Sequence, residues 1–549
     1  MKKKRLLFSG KGVLLLTAVA LLLTLAQCGD SSESRFTCYR LSKDTQGCIE
    51  TVNNILNMTV VSRNENVYKA EYDAGFIQGK LQKNVIISAR DNNWDNLYLT
   101  DPSHSFPKQL PPSQEELAEA QRVLRTNYIY TIDYIENHND PVIRENFTRL
   151  IFRLLGLYHG TQLESPASLD FSGQWLPDIF YFSTEERLLG YETPDLTFMD
   201  IYFVNGVEDM ADVISSLIDA PASAHRTKCS AFVKKTDDDI YITHNSWAGF
   251  LAQSMIVNLY VNGDFLTFNA ISPGVIGSLT DFGYNNKGIM FNETTHHATY
   301  SEPKSNALWM FWRATLAEQF GNSLDEFFSY VSLEPSGTYM NGYMIVDTKT
   351  NEIGLVEMSY KSFVYFRPDG QGGYTVITKP DGLSKAYDAD MVKADYIIGI
   401  NYPASYQIRD DLKAQDTRPA RKRQFLEFIG VVHDIETAKA LITYTDPENP
   451  LSIYGRWDLG YGETPTPKTV PDGSIDAKAA SASMTTYAMD LIGVFDGASP
   501  YKNFWMKYGT PHVNGSPFIW SQSQWSGQKL RDVPDVLDGN YNLLNLYIR

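Results

Sequence analysis

The sequence predicts an α+β protein in which stacked antiparallel sheets are sandwiched by helices. Three observations carry this. Apolar residues recur at helical spacing before residue 220, while β-branched and aromatic runs bounded by Gly, Asn, Pro or Asp dominate after residue 229. Tyr (33) and Phe (28) are abundant among the 549 residues, which favours strands and large packed surfaces. Strands gathered in runs and helices gathered in runs suit layers of one kind packed on the other. No internal repeat is visible.

The chain opens on a targeting segment. Lys2, Lys3, Lys4, Arg5 and Lys11 precede an apolar run from Val13 to Ala26, which is short for a membrane span. Residues 1–27 therefore read as a signal peptide. Leu25-Ala26-Gln27-Cys28-Gly29, followed by the polar tether Asp30–Ser34, resembles a bacterial lipobox with Cys28 as the lipidated first residue of the mature chain. Gln27 departs from the small residue usual there, and a plain secretory signal is the alternative. Either way the chain is expected to be exported: a membrane- or surface-anchored bacterial lipoprotein, or a secreted or lysosomal protein if the source is eukaryotic. In that case Asn57, Asn146, Asn292 and Asn514 begin glycosylation sequons. Cys38 and Cys48 are close enough in sequence to close a small disulfide loop in an oxidising compartment, which leaves Cys229 as an odd thiol.

The elements follow in order. After Pro111-Pro112, a helical pattern runs from Ser113 to about Leu155, and a second follows Asn205 with Val207, Met210, Val213, Ile214 and Leu217 at helical spacing. Residues 28–228 thus read as a mostly helical N-terminal fragment. It ends in Asp219–Lys228 (DAPASAHRTK), small and proline-containing, with the look of an exposed linker. Residues 229–549 hold most of the strands: two flanking Asp237-Asp238-Asp239, then Phe250–Val261, Asp264–Ala270, Gly288–Glu293, Tyr343–Asp347, Ile353–Ser359 and Lys361–Phe366. Helices at Leu308–Phe320 and Leu324–Tyr330 come between them. From Asp446 onward, Pro, Gly, Tyr and Trp without periodicity read as irregular structure wrapping the core.

The chemistry concentrates around Cys229. With the acidic turn centred near Thr236 and Asp237, Cys229 lies opposite His244 across a hairpin, at a Cβ separation of about 5 Å. A one-residue slip would put the two on opposite faces. A linker running straight into a cysteine that starts a strand is also the arrangement of an N-terminal nucleophile. There the chain is cut before the cysteine, and the freed α-amine, titrating near pH 8, serves as base. A buried inert cysteine is the bland alternative. A formal charge of −17 argues against nucleic acid as a partner. His296-His297 lacks partner spacing for a metal, so neither metal nor cofactor is assigned.

Ordered blocks give these residues a context: Cys229-Ser230-Ala231-Phe232, His244-Asn245-Ser246-Trp247, Ser272-Pro273-Gly274 with Asp281-Phe282, and Glu293-Thr294-Thr295. Then come Ser336-Gly337-Thr338-Tyr339 with Asn341 and Met344–Asp347, Asn401-Tyr402-Pro403 before a basic cluster, Ser474–Lys478, and Ser516–Ser521. In this sequence order the chain resembles the phospholipase B-like family of N-terminal nucleophile hydrolases. The resemblance implies a four-layer αββα core, self-cleavage between Lys228 and Cys229, and two fragments that stay associated. It makes Cys229 nucleophile and, through its α-amine, base. His244 supports it, Asn401 is the oxyanion candidate, and Trp247, Asn341, Arg418 and Arg421 are candidates to bind substrate. The implied activity is hydrolysis of acyl esters or amides, nominally removal of fatty acyl chains from phospholipids. An amidase or peptidase on acyl-amides or small peptides fits the same nucleophile, and a surface-anchored binding lipoprotein that has lost catalysis is the reading from another class. A papain-like protease is disfavoured, because its cysteine belongs near the start of an unprocessed domain.

Overall fold

In the computed structural model the described residues are 37–546, without 99–111, 173–190, 218–228, 459–470, 486–500 and positions 254, 263, 271–272, 279–280, 417, 447, 450, 457, 513–514 and 538. The first elements are strands β1 (Thr37–Arg40), β2 (Thr45–Val52) and β3 (Ile55–Ser62). Asn53 and Asn54 turn the β2–β3 hairpin with φ of 46° and 70°, the left-handed pair that a two-residue turn needs and asparagine tolerates. A Cys38–Cys48 disulfide spans ten residues beside it. Closing so short a loop limits the unfolded chain and stabilises by about 2–3 kcal/mol. These strands make the N-terminal fragment less purely helical than expected.

Among the described residues four helices follow: α1 (Val67–Tyr98), α2 (Gln114–Asn137), α3 (Pro141–Gln162) and α4 (Phe198–Leu217). The single helical stretch expected from Ser113 to Leu155 is two helices, each with its own cap. Ser113 and Glu116 form a capping box on α2, while Asp140 accepts from Val142 and Ile143 and Pro141 opens α3. Helix α1 carries buried Glu71, Asp73, Gln78, Gln82, Arg90, Asp91 and Asn92 among its apolar residues. That mixture hides it from a search for one apolar stripe. It lies against α3 through Gly75 and Gly79 on one helix and Gly156 and Gly160 on the other. A Cβ at any of the four would overlap a carbonyl oxygen of the partner helix.

Beyond residue 229 the strands are β4 (Ser230–Lys235), β5 (Ile240–Asn245), β6 (Trp247–Gly249), β7 (Met255–Val261), β8 (Asp264–Ala270), β9 (Phe282–Asn285) and β10 (Ile289–Thr295). Helices α5 (Met310–Phe320) and α6 (Leu324–Val331) precede β11 (Asn341–Asp347), β12 (Glu352–Met358), β13 (Phe363–Pro368), β14 (Tyr374–Lys379), β15 (Val392–Lys393) and β16 (Tyr396–Gly399). Helices α7 (Tyr406–Leu412), α8 (Ala420–Phe428) and α9 (Ile435–Ile442) lead to β17 (Asp472–Ser474), β18 (Asp476–Ser481), β19 (Tyr501–Tyr508), β20 (Phe518–Ile519), β21 (Val536–Leu537) and β22 (Asn542–Leu546).

Among the described residues these strands form two large sheets. One has 11 strands in the order β1-β2-β3-β7-β8-β9-β10-β11-β12-β13-β14, the other seven in the order β15-β16-β4-β5-β18-β19-β22. From β2 onward pairing is antiparallel except at β3–β7, where the N-terminal hairpin joins in parallel. Strands β10, β11 and β12 face β4, β5 and β16 across the middle of the molecule. Helices α1, α5 and α6 cover the outer side of the larger sheet, and α9 covers that of the smaller. The result is an α+β sandwich of four layers. The C-terminal tail differs from its expectation. It supplies β18, β19 and β22 to the smaller sheet, with β18 directly beside β5; of these, the Ala- and Lys-containing β18 (DAKAAS) leaves little β-propensity to read.

Candidate active site

The hairpin β4–β5 turns at Asp237 and Asp238. Thr236 fixes the turn, its N–H donating to the Asp239 carbonyl at 2.9 Å and its hydroxyl accepting from the Asp239 N–H at 3.1 Å. The register pairs Ser230 with Asn245 and Ala231 with His244. It is therefore displaced by two residues from the one expected, and Cys229 sits diagonal to His244 rather than opposite it. A two-residue shift preserves the face, so thiol and imidazole still share one side of the sheet. Lys478 pairs with His244 from the other side, which sets Ala231, His244 and Lys478 in a row across β4, β5 and β18.

Cys229 is held by its backbone. Its N–H donates to Asn401 Oδ1 at 2.9 Å, and its carbonyl accepts from the Arg421 guanidinium. Arg421 also donates to Asn401 Oδ1 at 3.0 Å, to Ser230 Oγ at 3.2 Å and to the Ile400 carbonyl. Asn401 has φ of 64°, a left-handed conformation that asparagine adopts more readily than most residues. Its Nδ2 donates to the Thr295 carbonyl at 2.6 Å, tying the loop after β16 to the end of β10. In this state Asn401 grips the Cys229 nitrogen, and its amide is turned to Thr295 rather than to an incoming carbonyl. Arg421, sequence-assigned to substrate, instead clamps the segment that begins at Cys229. Next along, Ser230 N–H donates to Asn245 Oδ1 at 3.0 Å, and Asn245 Nδ2 donates to the Ile442 and Ile453 carbonyls.

Around the thiol, Cys229, His244, Asp281 and Glu293 bring their Sγ, ring nitrogen and carboxylate oxygens within 4.8 Å of one another, all buried. Asp281 precedes β9 and Glu293 lies on β10, so the four converge from both sheets. Tyr339 donates to Asp281 Oδ2 at 3.0 Å. Among the described residues, neither His244 nitrogen and neither Glu293 oxygen makes a well-aligned hydrogen bond, although the Glu293 backbone neighbours His244, and Asp281, Thr295 and Asn341 neighbour the Glu293 carboxyl. Burial, then the Asp281 and Glu293 charges, raises the Cys229 thiol well above its ordinary range, against the Trp247 backbone N–H and Lys478. Burial and Lys478 push His244 well below its ordinary range, the Glu293 backbone opposing them. Burial raises Asp281 and Glu293 as well, and for Glu293 the Asp281 charge adds to it. Both shifts favour a neutral thiol and a neutral imidazole over a thiolate–imidazolium pair.

The remaining sequence candidates divide. Trp247, 1% exposed, stacks on Arg418, whose guanidinium carbon lies 3.5 Å from the ring centroid. Burial and the charge of Arg421 lower Arg418 well below its ordinary range. Asn341 opens β11 opposite Thr295, with its amide near the Glu293 carboxyl. Lys228, Cys28, the signal segment and the sequon at Asn514 lie outside the described residues. The other three sequon asparagines are buried and donate within the fold: Asn57 to Glu50, Asn146 to Tyr330, Asn292 to the Thr243 carbonyl. Folded protein offers no room for a glycan at any of them. Asp281 and Glu293, which the sequence offered only as members of two ordered blocks, are the additions. Their signal was weak because they meet the thiol across two sheets.

The comparisons bear on the whole of this centre. A family model described as Phospholipase B matches residues 184–541, which include Cys229, His244, Asp281, Glu293, Asn401 and Lys478. The chain belongs to the phospholipase B family. It is similar to Phospholipase B-like protein B of Dictyostelium discoideum, with 23% identity covering 90% of this chain and 85% of that one. It is also similar to Phospholipase B-like 1 of Rattus norvegicus, 28% identical over 66% and 68% of the two chains. Phospholipase B of Crotalus adamanteus is 25% identical over 71% and 72%. Membership places the chain among phospholipase B-like hydrolases.

Proposed function

We propose that this family member is a self-processing cysteine hydrolase in which the chain is cut between Lys228 and Cys229. The observation that carries the reading is the double grip on Cys229, N–H to Asn401 and carbonyl to Arg421, at the head of a central strand. Any buried backbone needs partners, but here two side chains from distant segments supply both of them ahead of the strand ladder. In the first reaction the thiol adds to the Lys228 carbonyl, the chain shifts from nitrogen to sulfur, and water splits the thioester, leaving a free amine on Cys229. Asn401 Oδ1 then accepts from that amine and orients its lone pair toward the thiol. The amine takes the thiol proton as the sulfur attacks an acyl carbonyl and returns it to the leaving alcohol or amine. Water releases the acid.

The substrate class follows from the relatives' names: acyl esters of glycerophospholipids, with acyl-amides served equally by the same nucleophile. The Cys38–Cys48 disulfide supports an exported protein, with Cys28 as lipid anchor. The test is denaturing electrophoresis of purified protein with N-terminal sequencing, followed by assays on phospholipid and N-acyl amide panels. Wild type is expected to yield a fragment beginning at Cys229 and to release fatty acid, and Cys229→Ala to stay whole and inactive. A wild-type chain that stays intact under acid or protease treatment, or a Cys229→Ala variant that is still cut there, would overturn the reading.

A further inference from the structure

We propose that Cys229, His244, Asp281 and Glu293 form a closed four-donor site for a thiophilic divalent cation of the zinc class, and that its occupancy silences the Cys229 thiol. The silencing half rests on Cys229 being the nucleophile, whereas the binding half stands on geometry alone. One sulfur, one imidazole and two carboxylates lie within 4.8 Å of one another. A tetrahedral zinc with ligand bonds of about 2.0–2.3 Å separates its donors by roughly 3.3–3.8 Å, so small side-chain rotations close the set. The donors come from the head of β4, from β5, from the residue before β9 and from β10, all anchored in the two sheets.

The donors are also available. Among the described residues, His244, wholly buried, both Glu293 oxygens and Asp281 Oδ1 make no well-aligned hydrogen bond, their neighbours being the Glu293 backbone for His244, and Asp281, Thr295 and Asn341 for Glu293. Polar atoms left so in a dry interior are costly, and a cation satisfies them together. Asp281 is oriented by Tyr339 through its other oxygen, the outer-partner arrangement that tunes metal ligands. A thiolate, two carboxylates and a divalent ion leave one excess negative charge; Lys478 beside His244 lowers its cost, although its ammonium is already ion-paired with Asp476 at 2.8 Å. Sulfur and imidazole select zinc-like ions over magnesium or calcium. Four protein donors leave no position for an activated water, so the bound ion inhibits rather than hydrolyses. On binding, the thiol and carboxyl protons pass to solvent and no electron is transferred. The sulfur lone pair that would attack an acyl carbonyl is held in the metal–sulfur bond.

The test uses the full chain, stripped with a chelator and titrated with Co²⁺. One equivalent is expected, with a thiolate-to-cobalt charge-transfer band and tetrahedral visible bands that Zn²⁺ abolishes and Mg²⁺ leaves alone. Cys229→Ser is expected to lose the charge-transfer band and Glu293→Gln the stoichiometric uptake. Tyr339→Phe, which removes only one hydroxyl, is expected to weaken Co²⁺ roughly 10–100-fold while keeping the band. Absence of stoichiometric uptake, or an unchanged spectrum in Cys229→Ser, overturns the site. Self-cleavage and acyl release are followed in parallel with and without Zn²⁺. Full activity in zinc-loaded protein overturns the silencing. Cobalt binding in a chain that never cleaves sustains the site and overturns the hydrolase reading instead.

Discussion

At the residue scale the site turns on how Cys229 is held. Asn401 combines a left-handed backbone with side-chain bonds to the Cys229 N–H, the Arg421 guanidinium and the Thr295 carbonyl, and substitutions separate backbone from side chain. Asn401→Gly keeps the conformation and loses the acceptor, while Asn401→Ala loses both. Both variants are expected to slow self-cleavage by roughly 10- to 100-fold, through the lost hold on the Cys229 nitrogen and the misorientation that follows. Only the alanine variant is expected to lose a further 1 kcal/mol or so of stability, from the left-handed strain. Cleavage time courses beside urea melts check this, and cleavage at wild-type rate in Asn401→Gly counts against the grip. The sequence exposed Cys229, His244 and Asn401 because each lies in a local block. It could not expose Asp281 and Glu293 as neighbours of the thiol, since that proximity is made by stacking one sheet on another. It also missed the register by two residues, because Thr236 pulls Asp239 back and moves the turn one position onward.

At the scale of elements, the α1–α3 contact is the tightest in the N-terminal half. Four glycines let the two backbones approach until each carbonyl meets the facing helix. Gly156→Leu is therefore expected to force the pair apart and cost about 3 kcal/mol or more, beyond the usual range for overpacking because backbone rather than side chain must move. Denaturant midpoints compared with a surface change such as Glu145→Gln provide the measure, and a midpoint within error of wild type would show that the helices slide freely. Beside this contact, Glu71 of α1 accepts from Arg149 and Arg153 of α3 and from Gln319 of α5, so the same helices are stitched to residues far along the chain. Helix α1 stayed hidden in the sequence for this very reason. Its polar residues face protein on most sides, and the apolar stripe that marks a surface helix is absent. Helices α2 and α3 were legible as helix, but not as two, since their separation rests on the caps Ser113 and Asp140 rather than on periodicity.

At the scale of the whole molecule, the two sides of the Lys228–Cys229 bond share one core. Strand β3 pairs with β7 over seven residues, and Asp209 of α4 accepts from the Met310 and Phe311 N–H groups at the start of α5. A cut chain is accordingly expected to elute as one species in native buffer and to separate only in denaturant. Two elution peaks after cleavage would contradict it. The same core buries carboxyls whose acid forms it favours. Burial raises Glu318 to about 8, Glu357 to about 7 and Asp209 to about 6, although backbone N–H groups from Ser278, Ser405 and Met310 oppose it. In the unfolded chain such groups titrate near 4. Raised folded values mean that the native state holds the protons more tightly. Their stabilisation is complete below about pH 4 and is lost as pH climbs through 6 to 8. Each group contributes a slope of up to about 1.4 kcal/mol per pH unit inside its own window. Melting temperature is therefore expected to fall steadily from pH 5 to pH 8, and Glu318→Gln to flatten the upper part of that fall while keeping the acceptor for Ser278 N–H. Scanning fluorimetry of both proteins across this range decides it, and a wild-type curve rising toward pH 8 would mean that these carboxyls are ionised at little cost.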